Sequence, residues 1–235
     1  MISCPICGTT FCALHFDDWW NPNRFSWMRN SWAIAYYCHM HFDKWWDSER
    51  FNWNASWALA QNCYKYFDKW WNEDKFNWVS GSSFLAAYCF DRFNTWWDKD
   101  KFNWKDSQEL AHYCHMYFDI WWNGDKYNWY TGSWTLAQFC AGYFDKWWNK
   151  DKFNYTNGAE QLVIHCSEYF DKWWDAKKFN WKDASWALAR FCSKHFDKWW
   201  NPEKFNPDHI DFLESYCDKY KDKWSILKLY VELSE

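Results

Sequence analysis

Pairs of adjacent tryptophans stand at positions 19/20, 45/46, 70/71, 96/97, 121/122, 147/148, 173/174 and 199/200, in steps of 26, 25, 26, 25, 26, 26 and 26. A chain with so regular a period repeats a structural unit, and a unit of this size cannot bury its own apolar face. It must stack on its neighbours, which is the logic of a solenoid. The ends of the array depart from the pattern as terminal units must, because one side of each meets water. Pro5 to Phe11 replaces the segment that reads Ser56-Trp57-Ala58-Leu59-Ala60 in an inner copy. At the other end Lys221-Asp222-Lys223-Trp224-Ser225 has lost the phenylalanine and the second tryptophan.

Placed on a helix at 100° per residue, the copy from Ser185 to Trp200 puts Leu188, Cys192 and Phe196 on one seam. Ala189, Trp199 and Trp200 flank that seam, Trp186 and His195 border it, and Arg190, Lys194 and Lys198 point away. Ser185, or Asp106 in another copy, suits an N-cap. Alternation of the strand type is absent. Neighbouring helical residues project about 100° apart, so the doubled tryptophan is expected to grip both adjacent helices. After it, a turn such as Asn201-Pro202-Glu203-Lys204-Phe205 predicts a short second helix, followed by a loop holding Gly81, Gly132 and Gly158 that absorbs the one-residue difference in period. The fold expected is therefore all-α, an α-solenoid of about nine repeats of 25–26 residues, each a long amphipathic helix plus a short second one. The degenerate caps fall at 1–30 and 210–235, with the tandem copies at 31–209.

Two further rows recur. Asn52, Asn77, Asn103, Asn128, Asn154, Asn180 and Asn206 follow the phenylalanine of each turn, or Tyr127 in its place, and can satisfy backbone groups at a helix end as a ladder. Asp17, Asp43, Asp68, Asp119, Asp145, Asp171 and Asp197 lie at the edge of the apolar face, beside lysines that can fix them.

The chain has 27 tryptophans, a formal charge of −4 and ten Gly and Pro residues in all (6 + 4). The dispersed acids argue against a general basic field for nucleic acid. No run of about 20 apolar residues exists to span a bilayer. The opening Met1-Ile2-Ser3-Cys4 lacks the basic and apolar regions of a secretory signal, and a cytoplasmic protein with no membrane partner is expected. Nine of the eleven cysteines recur with the repeat. Equivalent positions on helices about 8–10 Å apart are too distant to bridge, so they read as reduced thiols.

One stretch has metal character. In Cys4-Pro5-Ile6-Cys7-Gly8-Thr9-Thr10-Phe11-Cys12-Ala13-Leu14-His15, Cys12 and His15 lie one helical turn apart and can complete a four-ligand site with Cys4 and Cys7. The Cys-Pro-x-Cys-Gly portion resembles the zinc knuckle of rubredoxin-like and zinc-ribbon sites. That resemblance covers only these few residues and implies a closed, structural Zn²⁺.

Nothing resembles a phosphate-cradling loop, a nucleophile elbow or a unique carboxylate pair, and the expectation is a protein without catalytic activity. Constant positions then build the interior while variable ones meet a partner. The candidate contact residues are Tyr36, His39, Met40, Gln61, Tyr64, Lys65, Phe90, His112, His115, Met116, Arg190 and Lys194, a mixture suited to protein or peptide. A second reading takes the basic row Arg24, Arg50, Lys75, Lys101, Lys126, Lys152, Lys178 and Lys204 as contacts for nucleic acid or nucleotides, with aromatic stacking. A third is a spacer with a zinc-stapled end.

Overall fold

The computed structural model describes residues 3–232; residues 1, 2 and 233–235, the outermost parts of the expected caps, lie outside the described residues. Every regular element among the described residues is helical, apart from one isolated bridge between Ser3 and Thr10. The repeating unit is an α-solenoid repeat, as the period required.

The anatomy of the unit differs from the expected one in three ways. The long helix starts earlier and ends earlier: it covers Trp181–Phe191 rather than running on to Trp200, and its cap is Asn180, with Ser185 buried inside the helix. Cys192 leaves helical geometry (φ −121°, ψ 23°), Ser193–His195 forms a 3₁₀ turn, and Phe196–Trp199 is a helix of only four residues. The break has a specific cause. In the best-described copies the cysteine carbonyl accepts an amide three residues on, as in Tyr66 N–H to Cys63 at 2.9 Å. It also accepts the indole N–H seven residues on, Trp70 Nε1 to Cys63 at 2.8 Å. The tryptophan thus supplies the second donor that lets the ladder of i→i−4 bonds end at this point.

The second difference stems from the first. The four-residue helix ends at the first tryptophan, and the second is extended, with φ −59° and ψ 124° at Trp71. The pair is therefore not splayed around a helix toward two neighbours. The first indole is interior; Trp70 is 1% exposed. The second is half-buried and packs forward along the chain, Trp71 lying 5.3 Å from Phe76 and 5.8 Å from Trp78 between ring centroids. A turn succeeds the pair, and Phe-Asn-Trp opens the next long helix instead of closing a short one.

Third, the one-residue difference in period sits in the first turn of the long helix. Where the cysteine stands eleven positions after the opening aromatic, that turn is α-helical, as in Trp78–Tyr88. Where it stands ten positions after, the turn tightens to 3₁₀, as in Trp53–Ala55 before Ser56–Asn62 and Trp104–Asp106 before Ser107–Tyr113. A 3₁₀ turn holds three residues where an α turn holds 3.6, so it removes a residue without displacing the rest of the helix. Gly81, Gly132 and Gly158 belong to this turn and not to a loop; a Cβ on Gly81 would stand 2.4 Å from the Phe76 ring.

The asparagine row is the ladder expected. Each caps its own helix, as Asn77 Oδ1 accepts from Ser80 N–H at 3.2 Å. Most also reach back one repeat: Asn52 Nδ2 donates to Met28 O at 2.7 Å, and Asn206 Nδ2 to Lys182 O at 2.8 Å. A row of serines that pattern reading placed only at the helix edge completes the joint. Ser56 is fully buried and accepts the Asn77 backbone N–H at 3.0 Å, as Ser31 does for Asn52 and Ser133 for Asn154 at 2.9 Å.

Most of the aspartate row is likewise paired to a base one repeat on: Lys44 to Asp17 at 2.6 Å, Lys69 to Asp43 and Lys198 to Asp171 at 2.5 Å, Arg92 to Asp68 at 3.3 Å, and Lys172 to Asp145 and Lys223 to Asp197.

The chain divides into two compact units, Met1–Trp121 and Trp122–Glu235. In the first, the helices Trp27–Tyr37, Ser56–Asn62, Trp78–Tyr88 and Ser107–Tyr113 pack in succession. In the second the same holds for Trp129–Phe139, Tyr155–His165, Trp181–Phe191 and Ile210–Tyr216. Aromatic stacking joins consecutive repeats inside each unit: Phe42 on Tyr66 at 4.5 Å and Phe93 on Tyr117 at 4.5 Å in the first, Phe170 on His195 at 4.4 Å in the second.

All eleven cysteines are free thiols, and those of the repeat are buried. Burial pushes Cys38 and Cys192 up to about 12, which makes them inert apolar fillers.

Candidate functional site: a cysteine and histidine centre and a variable face

The N-terminal segment has no long helix. It folds instead as a loop pinned by Cys4 N–H to Thr9 O at 3.0 Å and Gly8 N–H to Cys4 O at 2.9 Å. Gly8 takes φ +72°, the left-handed conformation that glycine adopts without penalty, and Phe11 takes φ +54°. This winding gathers Cys4, Cys7, Cys12 and His15 so that their ligand atoms all lie within 4.8 Å of one another. His15 Nδ1 is 3.5 Å from the Sγ of both Cys4 and Cys12. For zinc–sulfur bonds of about 2.3 Å the edge of a tetrahedron is roughly 3.8 Å, slightly less where one ligand is nitrogen. The donor set and its spacing therefore fit a four-coordinate ion of the zinc type. Cys4 and Cys12 are buried and Cys7 is exposed. The Thr9 hydroxyl and backbone N–H, with His15 beside them, hold the Cys7 thiol down to about 6, so this position favours the thiolate that a metal requires.

The loop takes the place of the long helix of the first copy, whose Phe16–Trp19 helix and Trp19 Nε1 to Cys12 O bond at 2.8 Å are retained. Phe11 stacks on Tyr37 at 6.3 Å, its carbonyl accepts from Cys38 Sγ at 3.5 Å, and His41 Nε2 lies 2.8 Å from Ala13 O. These are the contacts that a preceding copy makes elsewhere, as Cys63 Sγ does to Ala35 O. His41 and His195 turn out to be stacking residues, on Phe16 at 4.6 Å and Phe170 at 4.4 Å.

The predicted contact residues fall in two registers: the last turn of the long helix (Tyr36, Gln61, His112, Arg190) and the 3₁₀ turn after the cysteine (His39, Met40, Tyr64, Lys65, Phe90, His115, Met116, Lys194). All but Arg190 and Lys194 belong to the first unit. Tyr36, Met40, Tyr64 and Phe90 are 45%, 60%, 43% and 40% exposed, while Gln61, His112 and His115 are half-buried. His39, Met40, Tyr64 and Lys65 are brought together with Asn62 and Tyr66 around a cleft of about 290 Å³. Trp32, Tyr37 and Tyr88 also present large exposed rings on these helices, where apolar character alone would place them inside. Arg190 is engaged, its guanidinium 5.1 Å from the Phe191 ring and 5.7 Å from that of Tyr216.

The basic row is largely paired. Lys75 meets Glu49 at 2.7 Å, Lys101 meets Glu73 at 2.7 Å, Lys152 meets Asp125 at 2.7 Å and Lys178 meets Asp151 at 3.7 Å, each acid coming from the preceding turn.

No family model matches the chain, and no curated protein or solved structure matches it. Among the described residues no helix is long and apolar enough to cross a membrane.

Proposed function

We propose that the chain is a non-enzymatic helical-repeat scaffold that holds a protein or peptide partner on its variable face, with a structural Zn²⁺ on Cys4, Cys7, Cys12 and His15 closing the N-terminal end. The observation that carries this reading is a division of labour among the aromatic and sulfur-bearing side chains. Constant positions such as Phe42, Trp45, Phe67 and Trp70 are at most 1% exposed. Variable positions in the same repeats, Tyr36, Met40 and Tyr64, stand open, and Met40 and Tyr64 line one cleft. Exposed aromatic and methionine side chains of this kind mark contact surfaces. The pairing of the basic row with acids speaks for this reading over nucleic-acid binding through that row, since a neutralised lysine contributes little to phosphate affinity.

The decisive test compares the native chain with a variant carrying Tyr36→Ala, Met40→Ala and Tyr64→Ala together, using affinity capture and crosslinking from cell extract. A protein retained by the first and lost by the second supports the proposal; identical capture by both overturns it. For the metal, native mass spectrometry should show one zinc per chain, lost on Cys4→Ser. A metal-free chain purified without chelator refutes that part.

A further inference from the structure

The acid that serves the basic row is replaced by a cation at one position, in the second unit, and by a neutral Asn23 at another, where Arg50 donates to the Asn23 Oδ1 instead. The third residue of each turn after a tryptophan pair reads Asn23, Glu49, Asp74, Asp100, Asp125, Asp151, Lys177 and Glu203. Six of these are acids, and Glu49, Asp125 and Asp151 are seen holding the lysine of the next turn. Lys177 reverses the charge at this position. Its counterpart one turn on, Lys204, accordingly has no carboxylate partner among the described residues and donates instead to the Ala176 carbonyl at 3.1 Å. Lys177, Lys182 and Lys204 line a cleft of about 580 Å³ together with Trp181 and a single carboxylate, Glu203. Lys204 Nζ lies 5.9 Å from the Trp181 ring centroid, the same placement that Lys75 has over Trp53 in a turn whose acid is present. The framework is thus common to the two turns, and the distinction of this one is an acid exchanged for a cation.

From this we infer that the cleft at Lys177, Trp181 and Lys204 binds a small phosphorylated ligand, the phosphate taking the position that the ladder carboxylate holds in other turns. Two lysines placed where one ion pair normally forms repel each other, and a multiply charged anion between them relieves that repulsion. Phosphate matches better than a single carboxylate because it offers each ammonium its own oxygens and up to two charges. The half-buried indole of Trp181 offers an apolar wall at the same place. None of the residues lining this cleft belongs to the candidate partner-contact set.

Lys177→Glu gives a clean test, since it restores the residue type that Glu49 and Glu203 hold and so preserves the fold. Calorimetric titration of the full chain with inorganic pyrophosphate at low ionic strength should show saturable binding at one site. Lys177→Glu should weaken it at least about tenfold, because an attractive charge becomes a repulsive one. Lys75→Ala, in a turn whose ladder is complete, should leave the affinity unchanged. Adenosine diphosphate titrated in parallel separates the sources of the phosphate. Tighter binding than pyrophosphate assigns the indole wall to a base, and equal binding assigns the cleft to the phosphates alone. Absence of saturable binding of both probes, or binding that Lys177→Glu leaves intact, overturns the inference.

Discussion

Replacing Trp70 by alanine should be far more damaging than replacing Trp71, although the two are adjacent and chemically identical. Trp70 is 1% exposed, its Nε1 donates to Cys63 O at 2.8 Å, and it meets Phe67 edge-on at 5.0 Å. A tryptophan buries roughly 150–250 Å², which at about 25 cal/mol/Å² corresponds to about 4–6 kcal/mol. Compactness of the unfolded chain and the Cβ that alanine retains bring the expected loss to about 3–5 kcal/mol. Trp71 is half-buried and its stacking on Phe67 at 5.2 Å is not accompanied by an indole hydrogen bond; its loss should cost about 1–2.5 kcal/mol by the same area argument. Trp70→Phe separates the two contributions, for it retains ring bulk while removing the donor to Cys63 O. That donor is worth about 0.5–1.5 kcal/mol. Urea unfolding followed by circular dichroism measures the totals, and hydrogen exchange with mass spectrometry should place the loosening of Trp70→Ala around residues 56–88. Equal losses at Trp70 and Trp71, or a loss below about 2 kcal/mol at Trp70, would refute the assignment of the first indole to the interior and of the second to the flank.

Cys38, Cys63, Cys89, Cys114, Cys140, Cys166, Cys192 and Cys217 are buried and should resist a thiol reagent until the chain unfolds, whereas chelator should expose reactive Cys7; timed alkylation with peptide mapping reads both. Ser56→Ala leaves the Asn77 N–H without its acceptor at 3.0 Å and should destabilise by about 1–2 kcal/mol in urea unfolding, the lower end being favoured because Ala159 holds the equivalent position natively. Burial lowers the pKa of His165, His195 and His209. A depressed histidine favours its neutral form, so its contribution to stability is complete above the unfolded value of about 6.5 and is lost as pH falls through the folded values. His195→Tyr keeps the stacking that Tyr169 and Tyr220 supply elsewhere, and thermal melts below pH 6.5 should show it less acid-sensitive than the native chain; an unchanged acid response would exclude His195 as a contributor.

The period, the helical class and the buried first indole were legible because they rest on spacing and on bulk. The helix break at each cysteine was not. Leu188, Cys192 and Phe196 are spaced four apart, and no proline or glycine marks Cys192, so the seam reads as one helix. The terminating group is a side chain seven residues away, Trp199 Nε1 on Cys192 O at 2.8 Å, and a donor so remote leaves no trace in local periodicity. For the same reason periodicity points to a cap at Ser185, which is instead buried and serves the Asn206 N–H at 3.2 Å. The Cys4, Cys7, Cys12 and His15 set was legible from spacing together with the zinc-knuckle resemblance, and so was the loss of the usual helical segment at Pro5 to Phe11; the contacts that seat the loop on the next copy were not, because Phe11 and Ala13 contribute through carbonyls. The exposed rings of Trp32, Tyr37 and Tyr88 were missed because aromatic residues in an aromatic-rich chain default to the interior.

The opening turn of the long helix exists in a looser and a tighter winding, and everything from the cysteine to the next asparagine keeps the same length either way. A single deletion or insertion at that point therefore costs the chain no register. Copies of either winding stand next to one another in this chain, so a row of units built this way can mix the two lengths without the junctions between units being refitted.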